Sequence, residues 1–356
     1  MIKVAVVLFT TTLFSLRSMV AFSQVVTAEK ENITKSQLYA NRPGSLGIIG
    51  DTSDVITSTR AGMVLMGGGK DVDAAFAWMI GRSGGGNAVI IRASGTNAYN
   101  SYVYRLGKIS SVETLKIDTR ELAENKEVVR IIRNAEMLFI AGGDQSVYMN
   151  QWKGTKAADA INYLINEKKV PVGGTSAGCA ILGQLYYSGE DGSAVSDSVL
   201  LDPYHPLVRL YRNDFLHVSY LKDVITDQHY ITRRRQGRHV VFMSRMIADW
   251  KIFPKGIAAD ERTAVCIDEQ GVAQVFGSSK AYFIRSGADR MPEVCESGKP
   301  LVWIAGQKAL KVYEIQGEPG GNGSFNVPDF DPVRARGGKW YWWWVEDGVL
   351  KTGEGN

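Results

Sequence analysis

Ser176 stands at the centre of Gly174-Thr175-Ser176-Ala177-Gly178, a Gly-x-Ser-x-Gly pattern. The apolar run Val170 to Val172 precedes it and a small, apolar stretch follows. A buried strand that turns sharply into a helix exposes a serine hydroxyl at the turn, and flanking glycines remove the Cβ atoms that would block it. The N–H groups and positive dipole end of the helix suit a developing oxyanion. The same five residues could form a tight turn and nothing more. A serine becomes a useful nucleophile only beside a base that a third group orients.

Four histidines are available. His229 lies in Asp227-Gln228-His229-Tyr230, just before Arg233-Arg234-Arg235-Gln236-Gly237-Arg238, and a histidine between an acid and a cation cluster is the best base candidate. His205, between Pro203 and Pro206, reads as a loop residue. His217 falls in an apolar stretch and reads as a core histidine, and His239 sits in a helix expected over 237–250. The orienting carboxylate is Asp260 or Glu261 in Gly256-Ile-Ala-Ala-Asp-Glu-Arg-Thr-Ala-Val265, with Glu190 and Asp191 as rivals that spacing does not eliminate. Cys179, Cys266 and Cys295 form neither a disulfide framework nor a zinc pattern. A Cys266–Cys295 bridge is left open, and no metal or other cofactor is expected.

The elements around these residues alternate. Gly62–Met66 reads as a buried strand, and Gly67-Gly68-Gly69-Lys70 turns into a helix over 71–81. That turn lacks both phosphate-binding glycine patterns and reads as a tight turn at a sheet mouth. Strands follow over 87–92, 112–117 and 136–140, with helices over 121–134 and 156–168. The pattern predicts an α/β fold, a mainly parallel sheet with helices on both faces, whose reactive loops gather at the carboxyl ends of the strands. Ala141-Gly142-Gly143-Asp144-Gln145 then shares a rim with Ser176. From Gly256 onward short strands at 264–268, 271–276, 280–285 and 309–316 either extend the sheet or form a β-rich subdomain. Trp340-Tyr-Trp-Trp-Trp344 reads as an aromatic edge strand packed on the body, in preference to a sugar or polymer surface.

With 356 residues, 45% of them hydrophobic and 22% charged, the chain has the composition of a soluble globular protein with a large core. A net charge of +4 is too small to argue for nucleic acid. Residues 1–23 have the basic start, apolar run and small −3 and −1 residues of a secretory signal peptide, followed by a polar leader over 24–44. Export to the periplasm or the exterior is therefore expected, without membrane association after cleavage.

Five motifs in order resemble the cyanophycinase family, serine exopeptidases related to dipeptidase E with a class I glutamine-amidotransferase-like fold. They are Leu65-Met-Gly-Gly-Gly-Lys-Asp71, Ile140-Ala-Gly-Gly-Asp-Gln145, Gly173-Gly-Thr-Ser-Ala-Gly178, Asp227-Gln-His-Tyr230 with its arginines, and Gly256-Ile-Ala-Ala-Asp-Glu-Arg-Thr-Ala264. The resemblance covers 45–285 and leaves a C-terminal β-rich extension, 286–356, outside it. It implies Ser176 as nucleophile, His229 as base and Glu261 as orienting acid, with oxyanion N–H groups from Gly143 and Ala177. It implies substrate contacts from Gln145, Asp227, Gln228, Arg233, Arg235 and Arg238. Guanidinium groups grip carboxylates bidentately, which suits the family's substrate cyanophycin, a polyaspartate with arginine on each side chain. The expected partners are that polymer or an aspartyl peptide, with a homodimer left open. The rival readings are an exopeptidase for short aspartyl peptides and a non-catalytic binder of acidic polymers. Cys179 and Gly256-Ile-Ala-Ala depart from the family pattern without removing a catalytic group.

Overall fold

A computed structural model of the protein describes residues 42–355. The signal-peptide expectation and most of the polar leader fall outside the described residues. From Gly44 onward the chain forms one compact unit.

Strands are numbered in chain order. They are β1 Ser45–Gly50, β2 Gly62–Met66, β3 Asn87–Arg92, β4 Ser111–Lys116, β5 Met137–Ile140 and β6 Pro171–Thr175. Next come β7 Leu185–Tyr187, β8 Leu210–Arg212, β9 Val224–Gln228, β10 Lys255–Ala259, β11 Thr263–Asp268 and β12 Val272–Gly277. The last are β13 Lys280–Arg285, β14 Leu310–Gln316, β15 Ser324–Asn326, β16 Gly338–Glu346 and β17 Val349–Glu354.

Two sheets result. One has the order β1-β4-β3-β5-β6-β2-β11-β12-β15 and the other β17-β16-β14-β13-β10-β9-β7-β8. The centre of the first sheet, β4-β3-β5-β6-β2, is parallel throughout, and the flanking strands are antiparallel. In the second sheet β9 runs parallel to β10 and β7. The C-terminal strands form no separate subdomain: β14, β16 and β17 widen the second sheet, and β15 joins the first.

The period of two along a strand separates the cores. Val64 and Met66 of β2 pack with Phe76 and Met79 of the helix Asp73–Arg82. Met63 and Leu65 face the other way, in a core that includes Ile131 and Ile132 of the helix Lys126–Asn134 and Ile257 and Phe283 of the second sheet. The opposite face of the second sheet, with Ala258 and Ile284, packs with the long helix Gln236–Trp250.

Several local expectations are corrected. The helix expected over 121–134 is two helices, Arg120–Glu124 and Lys126–Asn134, because Asn125 Oδ1 accepts the N–H groups of Glu127 and Val128 and starts a new helix there. The helix over 156–168 is α-helical to Tyr163 and then widens into a π turn. His217 is exposed, whereas His239 is fully buried. Cys266 and Cys295 are free thiols, the first in β11 and the second beside Ser244 Oγ. The tryptophan run is no edge strand, since β16 lies between β14 and β17.

Candidate active site

Four parallel strands end at one rim: β2 and β6 of the first sheet, β9 and β10 of the second. Backbone hydrogen bonds tie those ends together. Ser176 N donates to Met66 O at 3.1 Å, and His229 N donates to Gly67 O at 2.8 Å. Arg262 N donates to Gly68 O at 2.9 Å. Thr226 Oγ1 of β9 donates to Cys179 O at 2.8 Å, fixing the second sheet against the turn that carries the serine.

Ser176 follows β6 with φ 54° and ψ −118°, a left-handed conformation that a non-glycine residue adopts only where its surroundings impose it. Tight packing imposes it here. A Cβ on Gly174 would come within 2.6 Å of Gly178 O, and one on Gly178 would run into Ile140 O. The helix that follows is only Ala177–Ala180, so the positive dipole end behind the serine is that of a single turn.

Ser176 Oγ lies 2.7 Å from His229 Nε2, and His229 Nδ1 lies 2.7 Å from Glu261 Oε1. A carboxylate accepts only, so it holds the proton on Nδ1 and leaves Nε2 free to accept from the serine. The His229 ring is almost buried, and that burial pushes its pKa below the ordinary 6.5. The hydrogen bond to Glu261 acts upward, while the charges of Arg233 and Arg235 add to the lowering. A neutral imidazole at pH 7 is the form able to take a proton.

Asp260 takes another part. Its Oδ1 accepts the N–H groups of Ile231 and Thr232, each at 2.9 Å, and its Oδ2 accepts from Ser279 Oγ at 2.7 Å. It braces the turn after His229, and the neighbouring Glu261 is the residue that meets the ring. Glu190 and Asp191 lie apart, with Tyr211 and Arg209 respectively. The Gly67-Gly68-Gly69 turn has a role that sequence reading missed. A Cβ on Gly69 would press on the Glu261 side chain, and one on Gly68 would enter the His229 ring. A stretch of glycines facing a polar motif is the one signal that was present.

The remaining predicted residues divide. The Gly142 backbone passes Ser176, because a Cβ there would stand 3.3 Å from Ser176 Cβ. Gly143 beside it is exposed, and Ala177 is buried directly after the serine. Gln145 begins the helix Gln145–Trp152 and its amide approaches Gly189. Arg233 is exposed.

Asp227 and Arg238, which the resemblance gives as substrate contacts, meet each other in this structure. Each is 1% exposed, and the carboxylate of Asp227 takes both Nε (2.9 Å) and Nη2 of Arg238. Two charges cannot be left alone in an interior, and these two satisfy each other. Gln228 is also interior, and Arg235, 8% exposed, donates from Nη1 to Gln228 O at 3.0 Å. Of the arginine trio, only Arg233 is presented to solvent.

The profile of Peptidase family S51 matches residues 63–275, more than half of the chain. Among curated proteins, the cyanophycinase of a Nostoc species is 26% identical over 175 residues, 49% of this chain and 53% of that protein. The cyanophycinase of Synechococcus elongatus is 28% identical over 178 residues, 49% of each chain. The chain thus spans about half the length of the curated relatives it matches. A solved peptidase from an acI-B1 Actinobacterium superposes with a TM-score of 0.47 at 17% identity, covering 63% of this chain and 91% of that one. The chain belongs to peptidase family S51.

Proposed function

We propose that the protein is an exported serine exopeptidase that hydrolyses an aspartyl polymer of the cyanophycin type to β-aspartyl-arginine dipeptides. The observation that carries the chemistry is the unbroken chain Ser176 Oγ, His229 Nε2, His229 Nδ1, Glu261 Oε1, with both links at 2.7 Å. In this reading Ser176 Oγ attacks an aspartyl carbonyl carbon as its proton passes to His229 Nε2. The oxyanion is received by the N–H groups of Gly143 and Ala177. The imidazolium returns the proton to the leaving amine, and Glu261 holds the ring in register for both transfers. Water, deprotonated by the same imidazole, then cleaves the acyl-serine.

The substrate class is supported by the likeness to two cyanophycinases and by the exposed Arg233 close to His229. A guanidinium there would grip an aspartyl carboxylate. Export is supported by the composition of residues 1–23. Incubation with purified multi-arginyl polyaspartate, followed by mass detection of products, tests the proposal. Release of β-aspartyl-arginine dipeptides is expected. An intact polymer alongside rapid cleavage of Asp-X dipeptides would overturn the substrate assignment.

A further inference from the structure

A groove of about 680 Å³ opens away from the serine, between the helix Ser196–Leu201, the start of the helix Gln236–Trp250 and the hairpin β16–β17. Nine of its sixteen lining residues lie beyond 63–275, the stretch the family profile matches. Its wall shares one turn of chain with the candidate active site. Arg234 on its wall belongs to the same turn as His229, and Tyr230, the next residue after the base, packs on Tyr282 with ring centroids 5.1 Å apart. Tyr282 in turn meets Trp343 at 5.9 Å, and both rings line the groove.

The lining carries charges of both signs. Among the described residues none forms an ion pair with Arg234, Lys351 or Asp197, whereas Glu314 on the same wall is already paired with Lys280. The 15-residue helix that opens at the groove has no acidic residue in its first turn; Ser196 Oγ accepts from Arg238 N there at 3.1 Å, and no formal charge within that turn neutralises its positive end. Carboxylates are therefore favoured beside Arg234 and Lys351. Guanidinium groups are favoured over the half-buried Tyr341 and near Asp197.

We propose that this groove is an accessory site for a remote stretch of the substrate, an extended chain bearing both carboxylate and guanidinium groups. The inference rests on the aspartyl-polymer reading above. It assigns the C-terminal hairpin to retaining a long chain while its end is processed.

Lys351→Glu and Tyr341→Ala, separately and together, would be compared with the wild type on soluble multi-arginyl polyaspartate and on a short β-aspartyl-arginine oligomer. The ratio of kcat/KM for polymer to that for oligomer should fall about tenfold in the double variant. The Kd of the polymer for a Ser176→Ala background should rise by a similar factor. Lys351 is exposed on the outermost strand, so its variant keeps the test alive if Tyr341→Ala does not fold. An unchanged ratio in a wild type that cleaves the polymer would overturn the groove assignment and leave the peptidase reading standing. Cleavage of neither substrate would sink the peptidase reading, and the binding arm would still decide the groove. Loss of a dimer in sedimentation, with polymer affinity unchanged, would give the groove to a second copy and overturn the proposal.

Discussion

A Cβ placed on Gly68 would lie 2.6 Å from His229 Nε2, closer than any side chain tolerates. The ring that bonds to Ser176 thus occupies the space left by an absent methyl group. Gly68 also holds φ at 99°, a conformation that glycine alone enters without strain. Gly68→Ala should therefore displace the imidazole. Kcat should drop by about 100-fold or more, as expected when a reacting group moves by roughly 1 Å. Steady-state kinetics, with circular dichroism to confirm the fold, checks this. Unaltered kcat would mean that the ring is not held by this contact.

The pH dependence follows from the burial of His229. Its pKa lies below 6.5 in the folded protein, so the base form is populated down to a pH lower than for a free histidine. The acid limb of kcat/KM should have its midpoint below 6.5. Arg233→Gln removes a nearby positive charge, makes the imidazolium easier to form and should move that midpoint upward. Stability carries the same sign. Buried His239, pushed down to about 4 by its burial, stays neutral in the folded state while the unfolded chain takes up protons near 6.5. Between those values the unfolded state binds more protons, so stability falls as pH falls from 6.5 towards 4. Melting temperatures across that range should decline, and His239→Gln should flatten the decline.

The Asp227–Arg238 pair makes a stability prediction. Asp227→Asn leaves a guanidinium buried without its counter-charge and should cost about 3 to 5 kcal/mol in denaturant unfolding. The double variant Asp227→Leu with Arg238→Met should lose much less than the sum of the two single changes. Additive losses would mean that the two side chains do not depend on each other.

Much of the site was legible because its residues sit in short, chemically distinctive runs. Ser176 was marked by the two glycines whose missing side chains allow the elbow, and His229 by its place among charges. The division between Asp260 and Glu261 was not legible from the residues alone. Which one meets the ring depends on how the end of β10 aligns with the end of β9, a register set by tertiary pairing. The surroundings of the arginines were hidden for a related reason. Arg233 and Arg238 look alike in the sequence, yet one ends exposed and the other inside against Asp227, because a helix begins between them. Strand β9 escaped notice because Val-Ile-Thr-Asp-Gln ends in polar residues, and its burial depends on Arg238 from the next helix. In the first sheet, β2, β3 and β5 were apparent from their continuous apolar runs, as expected of parallel strands covered on both faces.

The central claim is that Ser176 is a nucleophile activated by His229. A fluorophosphonate probe, followed by peptide mapping, tests it most directly. The account predicts a single phosphonylated residue, Ser176, with labelling abolished in Ser176→Ala and slowed by about 100-fold or more in His229→Ala. A folded wild-type protein that remains unlabelled, or that labels as fast without the imidazole, would contradict it.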